Sequence, residues 1–481
     1  MTSPETETYY RCTIIRGKTQ REMDDLLPAY AGIIGKICPC PLPVFNQQFN
    51  GSLAELLFNR NFEELSISHK KTIRNHITEI AGRLLGLYWV DEDEIVHISA
   101  SAEKVLSDND QPAFFKNLCL NFQFPNGSQK INTILERIND GIRFKPFHFI
   151  VTLLSLAHSQ NVILTQDEIA YYVLGSRATL RGERTPQNVL TLLLARRRTN
   201  LPPVKLPPGS FYNQHIKEQL NLLELANIIR SSNGTVVLNT LETNAIQLFM
   251  EEYNTPLRFN MSAYDLTKDE EKLKMYSDWG AYYGSILAPA EDVLSTTVDA
   301  LRFSSTTAPA NGEATETVHP ETEEQGQDEE QIGDAGEQLV LEMEKQRVGQ
   351  THPRLVNKVV FLGKQRGLGY DISSVEAAEN TEEPEFGRLI EVKSTKRTTI
   401  PSLDDPNWRD AVNLTRKEWI AARQYREAYN IYRVYFTVTT VIVRKINNPY
   451  LKFESQIIDV IPTVYRMDFS ATAIDREYST P

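Results

Sequence analysis

A segment of 28 residues, Ser304–Gln331, cannot contribute to a folded core, and it therefore divides the chain. It contains eight Asp and Glu, no Lys or Arg, and almost no large apolar residues. Such a composition cannot bury enough apolar surface to offset the entropy lost on folding. We predict a disordered acidic linker over residues 301–331, with a folded region of about 300 residues before it and one of about 150 after it.

The net charge of −12 is unevenly distributed along the chain. The segment Ser304–Gln331 alone carries −8. By contrast, residues 101–250 hold 15 Lys and Arg against 11 Asp and Glu, and residues 351–450 hold 16 against 12. Both folded regions are thus mildly basic, which is compatible with DNA binding.

Cysteine content and hydropathy indicate the compartment. Four cysteines in 481 residues do not form a disulfide framework, which indicates a reducing environment. The apolar runs are shorter than the ~18 residues that a membrane span needs, and the polar N-terminus lacks the features of a signal peptide. We expect a cytoplasmic protein with no membrane partner.

The N-terminal region is predicted to be mostly α-helical, with two copies of a helix–hairpin pattern. Residues 70–86 carry apolar side chains at helical spacing, and two short β-prone runs, Leu87–Val90 and Ile95–Ile98, follow at once. The same order recurs over residues 214–250. A helix followed by a two-stranded wing is typical of winged-helix modules. We therefore predict a winged-helix module over residues 1–110, and a helical and second winged-helix DNA-recognition region over residues 111–300.

The most concentrated positive charge of the N-terminal region lies in two groups of arginines. They are Arg177, Arg181 and Arg184, and Arg196, Arg197 and Arg198. A phosphate-binding surface would use such residues. A solvated helix end is the alternative for the second group, because cations favour a helix C-terminus. The sequence leaves both interpretations open.

The C-terminal region contains a pattern that predicts metal-dependent chemistry. Asp371 follows a Gly-rich turn, and Glu391 and Lys393 follow twenty residues later in an apolar, β-prone run. On a strand, residues i and i+2 point to the same face, so Glu391 and Lys393 share a site while Ile390 and Val392 face the core. Two carboxylates can hold Mg²⁺, and a lysine can orient or deprotonate a water or hold a phosphate oxygen. The alternative is a turn cap at Asp371 and a surface ion pair between Glu391 and Lys393.

Four motifs in this region carry a resemblance to a known family. They are Gly336-Glu337-x-x-Val340-x-x-x-Glu344, Gly367-x-Gly369-Tyr370-Asp371-Ile372-x-Ser374, Ile390-Glu391-Val392-Lys393 and Leu414-Thr415-x-x-Glu418. Residues 332–443 resemble the C-terminal domain of the NO VEIN family, which belongs to the PD-(D/E)XK superfamily of restriction-endonuclease-like folds. The resemblance implies that Asp371 and Glu391 bind Mg²⁺ and that Lys393 serves the water. It also implies that Glu337, or alternatively Glu344, completes the metal site.

The secondary structure predicted after the linker follows the order αβββαβ. A helix carries Glu337 and Glu344, and an amphipathic helix opens at Thr415 and runs to about Tyr429. The predicted strands are Val359–Leu362, Tyr370–Val375, Arg388–Lys393 and one long strand, Ile431–Val443. We expect an α/β restriction-endonuclease-like nuclease domain over residues 332–481.

The N-terminal region is similar in architecture to the DNA-recognition halves of restriction enzymes that separate recognition from cleavage. We therefore expect a multidomain Mg²⁺-dependent DNA endonuclease of restriction or phage-defence type. Its partners would be double-stranded DNA and, during cleavage, a second copy of the chain. Two alternatives stay open: a nuclease subunit of a larger defence complex that is inactive without its partner proteins, and a non-catalytic DNA-binding protein.

Overall fold

The computed structural model describes most of the chain. It covers Cys12 and residues 18–199, 201–205, 210–286, 327–363, 368–404, 408–461 and 465–479. Two compact units are present, one formed by residues 1–106 and 111–292 and the other by residues 107–110 and 293–481. Within the described ranges, no helix is both long and apolar enough to span a bilayer.

The first unit is mainly α-helical, and its first part is a set of helices followed by a small sheet. The helices are α1 (Gln20–Ile37), α2 (Leu42–Phe58), α3 (Ile67–Asn75, continued by wider turns over His76–Leu84) and α4 (Ala100–Asp108). The strands are β1 (Cys40–Pro41), β2 (Tyr88–Val90) and β3 (Ile95–Ile98). β3 pairs antiparallel with both β1 and β2, which gives the order β1-β3-β2.

Further helices connect this part to a second one with the same plan. They are α5 (Gln111–Asn121), α6 (Ile131–Asn139), α7 (Pro146–Ser159), α8 (Gln166–Ile169, continued by wider turns over Ala170–Leu174), α9 (Arg177–Leu180) and α10 (Pro186–Arg197). The second part comprises β4 (Leu164–Thr165), α11 (Ser210–Leu225), β5 (Ile229–Ser232), β6 (Thr235–Leu238), α12 (Thr243–Tyr253) and α13 (Asp269–Tyr283). Here too a two-residue strand pairs with the second hairpin strand, in the order β4-β6-β5. Both predicted helix–hairpin patterns are therefore present.

The second unit is built on a mixed six-stranded sheet. Its strands are β7 (Val360–Phe361), β8 (Ile372–Val375), β9 (Gly387–Lys396), β11 (Tyr429–Phe436), β12 (Val441–Asn447) and β15 (Arg476–Ser479), in the order β15-β12-β11-β9-β8-β7. β9 and β11 are parallel, and the other pairs are antiparallel. A separate three-stranded sheet comprises β10 (Asp410–Leu414), β13 (Asp459–Ile461) and β14 (Tyr465–Phe469).

Helices cover both faces of the six-stranded sheet. α14 (Gln327–Thr351) packs on one face, in a core that includes Ile390 and Val392 of β9. α15 (Arg416–Tyr425) packs on the other face against β11, and α16 (Pro449–Glu454) lies beside it. The alternating residues of β9 are thus divided between two cores, as a strand geometry with period two requires. α14 begins inside the segment predicted as a linker, most of which lies outside the described residues.

The prediction of one long strand over Ile431–Val443 was wrong. The chain reverses at residues 437–440, so this segment forms the antiparallel hairpin of β11 and β12. The turn is closed by the Thr437 N–H, which donates to the Thr440 carbonyl (3.0 Å). The Thr437 hydroxyl donates to the same carbonyl (2.7 Å). A turn built from β-branched residues lacks the Gly, Asn or Pro that normally marks a hairpin in sequence.

Candidate active site

Asp371 lies directly before β8, where the chain leaves a turn and joins the sheet. Its N–H donates to the Ile390 carbonyl of β9 (2.8 Å). Its carboxylate accepts the N–H of Val392 (2.8 Å). Both bonds tie Asp371 to the part of β9 that carries Glu391, so the structure brings these two predicted site residues together.

Glu391 and Lys393 lie on the α15 face of β9, as their spacing predicts. Ile390 and Val392, which alternate with them, are buried in the opposite core. The Lys393 Nζ lies 2.8 Å from Glu391 Oε1. The Glu391 side chain is 5 % exposed and that of Lys393 is 23 % exposed, so this pair is not an exposed surface ion pair.

Glu418, on the first turn of α15, completes this cluster. Its Oε2 lies 3.0 Å from the Lys393 Nζ. The sequence placed Glu418 in the motif Leu414-Thr415-x-x-Glu418 and in a capping box that opens the helix, without a role in the site. The structure confirms the capping box with Thr415 as N-cap. The sequence signal for the cap was present, but the approach of Glu418 to Lys393 follows from the packing of α15 on the sheet.

Gly369 allows α15 to approach the turn before Asp371. Its φ is +76°, a backbone conformation that other residues rarely adopt. A Cβ atom at this position would also come within 2.7 Å of the Lys417 carbonyl oxygen. A glycine is therefore required here both by the turn and by the neighbouring helix.

The carboxylates of Asp371 and Glu391 are held in an environment that disfavours their charge. Burial raises the pKa of Asp371 to about 6, and Glu418 adds to the rise, although the Val392 N–H and Lys393 oppose it. Burial also raises the pKa of Glu391 well above its usual range, and Asp371 and Glu418 add to this against the attraction of Lys393. Carboxylates whose pKa is raised by burial and by a neighbouring carboxylate are typical of functional sites.

Lys393 retains its proton in this environment. Burial alone would lower the pKa of its ammonium group, but Glu391 and Glu418 outweigh burial and raise the pKa above its ordinary value. As arranged here, Lys393 is a cationic donor and not a base. It can hold a phosphate oxygen or orient a water, which are two of the three roles considered from the sequence.

The two glutamates of α14 lie in different surroundings. A Cβ atom at Gly363 would come within 2.9 Å of Glu337 Oε2, and the preceding Leu362 N–H donates to the Asp371 carbonyl (2.6 Å). Glu337 thus lies near the strand end that carries Asp371. Across the described residues, however, no three His, Cys, Asp or Glu side chains form a group able to hold a metal ion.

Glu344 is committed to a buried ionic cluster on the α14 face of the sheet. Its carboxylate accepts from Arg347 (2.6 Å) and from the hydroxyls of Ser374 (2.6 Å) and Tyr432 (2.9 Å). It also lies 3.5 Å from the fully buried Arg388 guanidinium. Glu344 therefore lies on the side of β9 opposite to Glu391, away from the Asp371 site.

Several of the arginines of the first unit already have carboxylate partners. Arg197 makes two hydrogen bonds to Glu168 (2.8 and 2.7 Å), and Arg177 lies 3.3 Å from Asp140. Arg181 donates to the Asp140 carbonyl. These contacts use part of the positive charge that the sequence offers to a phosphate.

One arginine of each group acts on the same tyrosine, Tyr172. Burial raises the pKa of the Tyr172 hydroxyl, and both Arg196 and Arg184 act against that rise, so both lie near this ring. Arg184 donates to the Ser176 hydroxyl (3.1 Å) and Arg196 to the Pro202 carbonyl (3.1 Å), which leaves their charge without a carboxylate in these bonds. Arg198 is exposed at the end of α10.

Both units match a family profile. The profile of the family "Restriction endonuclease BpuJI - N terminal" matches residues 3–280, more than half of the chain. The chain belongs to this family. The profile "Protein NO VEIN, C-terminal" matches residues 336–446, which confirms the resemblance given by the four motifs. No curated protein matches the chain significantly.

A solved structure supports the assignment of the first unit to this family. It is the BpuJ1 endonuclease binding domain in complex with pyrene- and phenanthrene-modified DNA. It is 41 % identical, with a TM-score of 0.53, and the match covers 57 % of this chain and 98 % of that one. The similarity to the DNA-recognition half of a restriction enzyme, expected from architecture alone, is thereby confirmed.

Proposed function

We propose that this chain is a Mg²⁺-dependent DNA endonuclease of restriction or phage-defence type. The observation that carries the proposal is that Asp371, at the start of β8, lies beside Glu391 and Lys393 of the neighbouring strand β9. A turn cap at Asp371 and a surface ion pair between Glu391 and Lys393 do not require these side chains to be buried together. Here Glu391 is buried, and the Asp371 carboxylate is bound to the same strand. Two findings support a PD-(D/E)XK nuclease fold. The second unit matches the NO VEIN C-terminal profile, and its elements include, in order, a helix, three strands, a helix and a strand, with additional strands.

The donor groups of the site fit a hard divalent cation. Three carboxylates, those of Asp371, Glu391 and Glu418, are gathered around one described cation, Lys393, so the formal balance is −2. Mg²⁺ binds through oxygen, commonly to one or two protein carboxylates, with water and substrate phosphate completing its six positions. Asp371 and Glu391 would hold the ion, and Glu337 is the further candidate because it lies near the same strand end.

The reaction is the hydrolysis of a phosphodiester, in which water adds to phosphorus and a sugar oxygen leaves. A bound cation would supply positive charge where the phosphate oxygens gain negative charge. Lys393 adds a second positive charge from the protein itself, as a donor that binds a phosphate oxygen or fixes the direction of the water. Its partly exposed side chain lets it reach a substrate from its position beside Glu391.

The first unit supplies DNA recognition in this proposal. Both helix–hairpin parts, with their three-stranded sheets, are interpreted as winged helices, and the related BpuJ1 domain is bound to DNA in its structure. Arg184, Arg196 and Arg198 are the candidates for phosphate contacts, since the described hydrogen bonds of the first two are to neutral groups. Arg177, Arg181 and Arg197 would serve the interface mainly by shaping it.

The test is digestion of unmodified and modified plasmid and phage DNA by the purified chain with Mg²⁺. We expect cleavage that is lost on chelation and in the variants Lys393→Ala and Asp371→Asn. An inactive wild-type chain that gains activity only with a partner protein would favour the defence-complex subunit. DNA binding without cleavage under any condition would indicate a non-catalytic role.

A further inference from the structure

The Lys393 ammonium is held by two carboxylates from different elements. Glu391 Oε1, on the same strand, lies 2.8 Å away, and Glu418 Oε2, on α15, lies 3.0 Å away. The Glu418 side chain is only 13 % exposed, so this contact is shielded from water. An ion pair of this kind is stronger and better defined than an exposed one.

We propose that Glu418 is a positioning residue that fixes Lys393 for phosphodiester cleavage. This proposal rests on the proposed function of the site, and it assigns a role to a residue outside the D…ExK pattern. Glu391 has two competing tasks, since it binds Lys393 and would also bind the cation. Glu418 provides Lys393 with a second anchor, so that Glu391 can turn to the cation without releasing the lysine.

The position of the Glu418 carboxylate is itself fixed by the start of α15. The Thr415 N–H donates to Glu418 Oε2 (2.9 Å), the same oxygen that contacts Lys393. In return, the Glu418 N–H donates to the Thr415 hydroxyl (3.3 Å). The next residue, Trp419, is buried against Tyr450 and Phe453. The helix start is therefore anchored on both sides of Glu418, which makes its carboxylate a rigid support.

Glu418→Gln separates the two tasks of this side chain. A glutamine at the third helical position can still close a capping box, so the helix start is retained while the negative charge beside Lys393 is lost. Thr415→Ala does the reverse, because it removes the capping hydroxyl but leaves the Glu418 charge and the backbone N–H of residue 415 that holds it. Glu22→Gln is a matched control in the first unit, where Glu22 closes a capping box with Thr19 and lies 3.2 Å from Lys18.

The first readout is independent of nuclease activity. The full-length chain is treated briefly with an acetylating ester, and the modification of Lys393 is followed by mass spectrometry. An ammonium group bound by two carboxylates reacts slowly, so we expect Glu418→Gln to accelerate Lys393 acetylation several-fold. Thr415→Ala and Glu22→Gln should leave it near the wild-type rate. An unchanged rate in Glu418→Gln would overturn the positioning role.

The second readout is DNA cleavage at saturating substrate with Mg²⁺. A misplaced functional group costs about 10²-fold in rate, so we expect Glu418→Gln to lose about that factor in kcat. DNA affinity should stay within about threefold of wild type. The Mg²⁺ concentration for half-maximal activity should rise, but by less than about tenfold, because Glu391 must then serve both Lys393 and the cation. A large change in the Mg²⁺ requirement would overturn the proposal, because Glu418 would then be a metal ligand.

The two proposals fail in different ways. If the wild-type chain cleaves no DNA, the nuclease function fails, and the acetylation rates alone decide whether Glu418 holds Lys393. If the wild type cleaves DNA and Glu418→Gln equals it in the acetylation rate or in kcat, only the positioning role is refuted. Glu418→Asp, which keeps the charge on a shorter side chain, replaces Glu418→Gln if circular dichroism shows that the glutamine variant does not fold.

Discussion

Asp371→Asn should abolish cleavage and at the same time stabilise the second unit at neutral pH. The pKa of Asp371 is raised, mainly by burial, from 3.8 to about 6. One pKa unit corresponds to about 1.4 kcal/mol, so the ionised carboxylate lowers the free energy of unfolding by at most about 3 kcal/mol. Asparagine has the same shape and no charge, and its side-chain oxygen can still accept the Val392 N–H.

The pH dependence of the free energy of unfolding shows whether the Asp371 charge destabilises the folded state. A carboxyl group with a raised pKa binds more protons in the folded state than in the unfolded state between pH 4 and 6. The wild-type free energy of unfolding should therefore fall as pH rises through this window. The advantage of Asp371→Asn should be absent near pH 4 and complete above about pH 6.

Hydrogen exchange of the slowest amides in β9 and β11 measures the stability of the second unit separately from the first. The rates at pH 4 and pH 7.5 are corrected for intrinsic exchange at each pH. Divalent cations provide a second arm: added Mg²⁺ should stabilise the wild type through binding to the folded state and should stabilise Asp371→Asn less.

Asp410→Asn is the matched control of opposite sign. Burial would raise the pKa of Asp410, but Arg433 outweighs burial and lowers it. The Arg433 guanidinium lies 2.8 Å from Asp410, so removing this charge should destabilise the same unit at neutral pH. If Asp371→Asn is no more stable than the wild type at pH 7.5, the Asp371 carboxylate is not held at an energetic cost. The electrostatic basis of the proposed metal site would then be refuted.

Three further predictions concern other parts of the molecule. Lys393→Ala should reduce kcat by about 10²-fold or more, while the variant still binds DNA in a filter-binding assay. Unchanged turnover would exclude Lys393 from the mechanism. Arg388→Met should lower the free energy of unfolding by about 3–5 kcal/mol because it removes the fully buried guanidinium that pairs with Glu376 and Glu379. Thermal unfolding checks this, and an unchanged Tm would contradict it. Arg198→Ala should weaken DNA binding and reduce by about one the slope of log affinity against log salt concentration. Arg197→Ala, which breaks the pair with Glu168, should change this slope less. Equal slopes in both variants would contradict this assignment.

The site on β9 was predictable because local sequence determines it. Glu391 and Lys393 alternate with Ile390 and Val392, and a strand of period two must separate these pairs onto opposite faces. The location of Asp371 beside them also followed, since a short turn and strand precede β9 in the sequence. Glu418 lies 25 residues beyond Lys393, and its part in the cluster depends on helix packing, which no local pattern encodes.

The arginines and the final hairpin show where local reasoning fails. Arg197 meets Glu168, which is 29 residues away, and Arg177 meets Asp140, which is 37 residues away. Such pairs depend on tertiary structure, so a count of arginines overestimates the charge available to DNA. The turn at Thr437 is formed by residues with high β-propensity, and the uninterrupted pattern therefore predicted one strand in place of two.

The two faces of β9 carry ionic clusters that differ in their charge balance. On the α14 face, three carboxylates, those of Glu344, Glu376 and Glu379, are matched by Arg347, Arg388, Lys445 and Arg476. On the α15 face, the Asp371 cluster has three carboxylates and one lysine, and the neighbouring Asp410 and Arg433 form a balanced pair of their own. A cluster with enough cations holds helix and sheet together without any ligand. The Asp371 cluster is formally two cations short, and the raised pKa values of Asp371 and Glu391 reflect this deficit; the formal surplus equals the charge of one divalent ion. The charge balance, more than the presence of acidic residues, thus distinguishes the proposed catalytic face of β9 from the structural one.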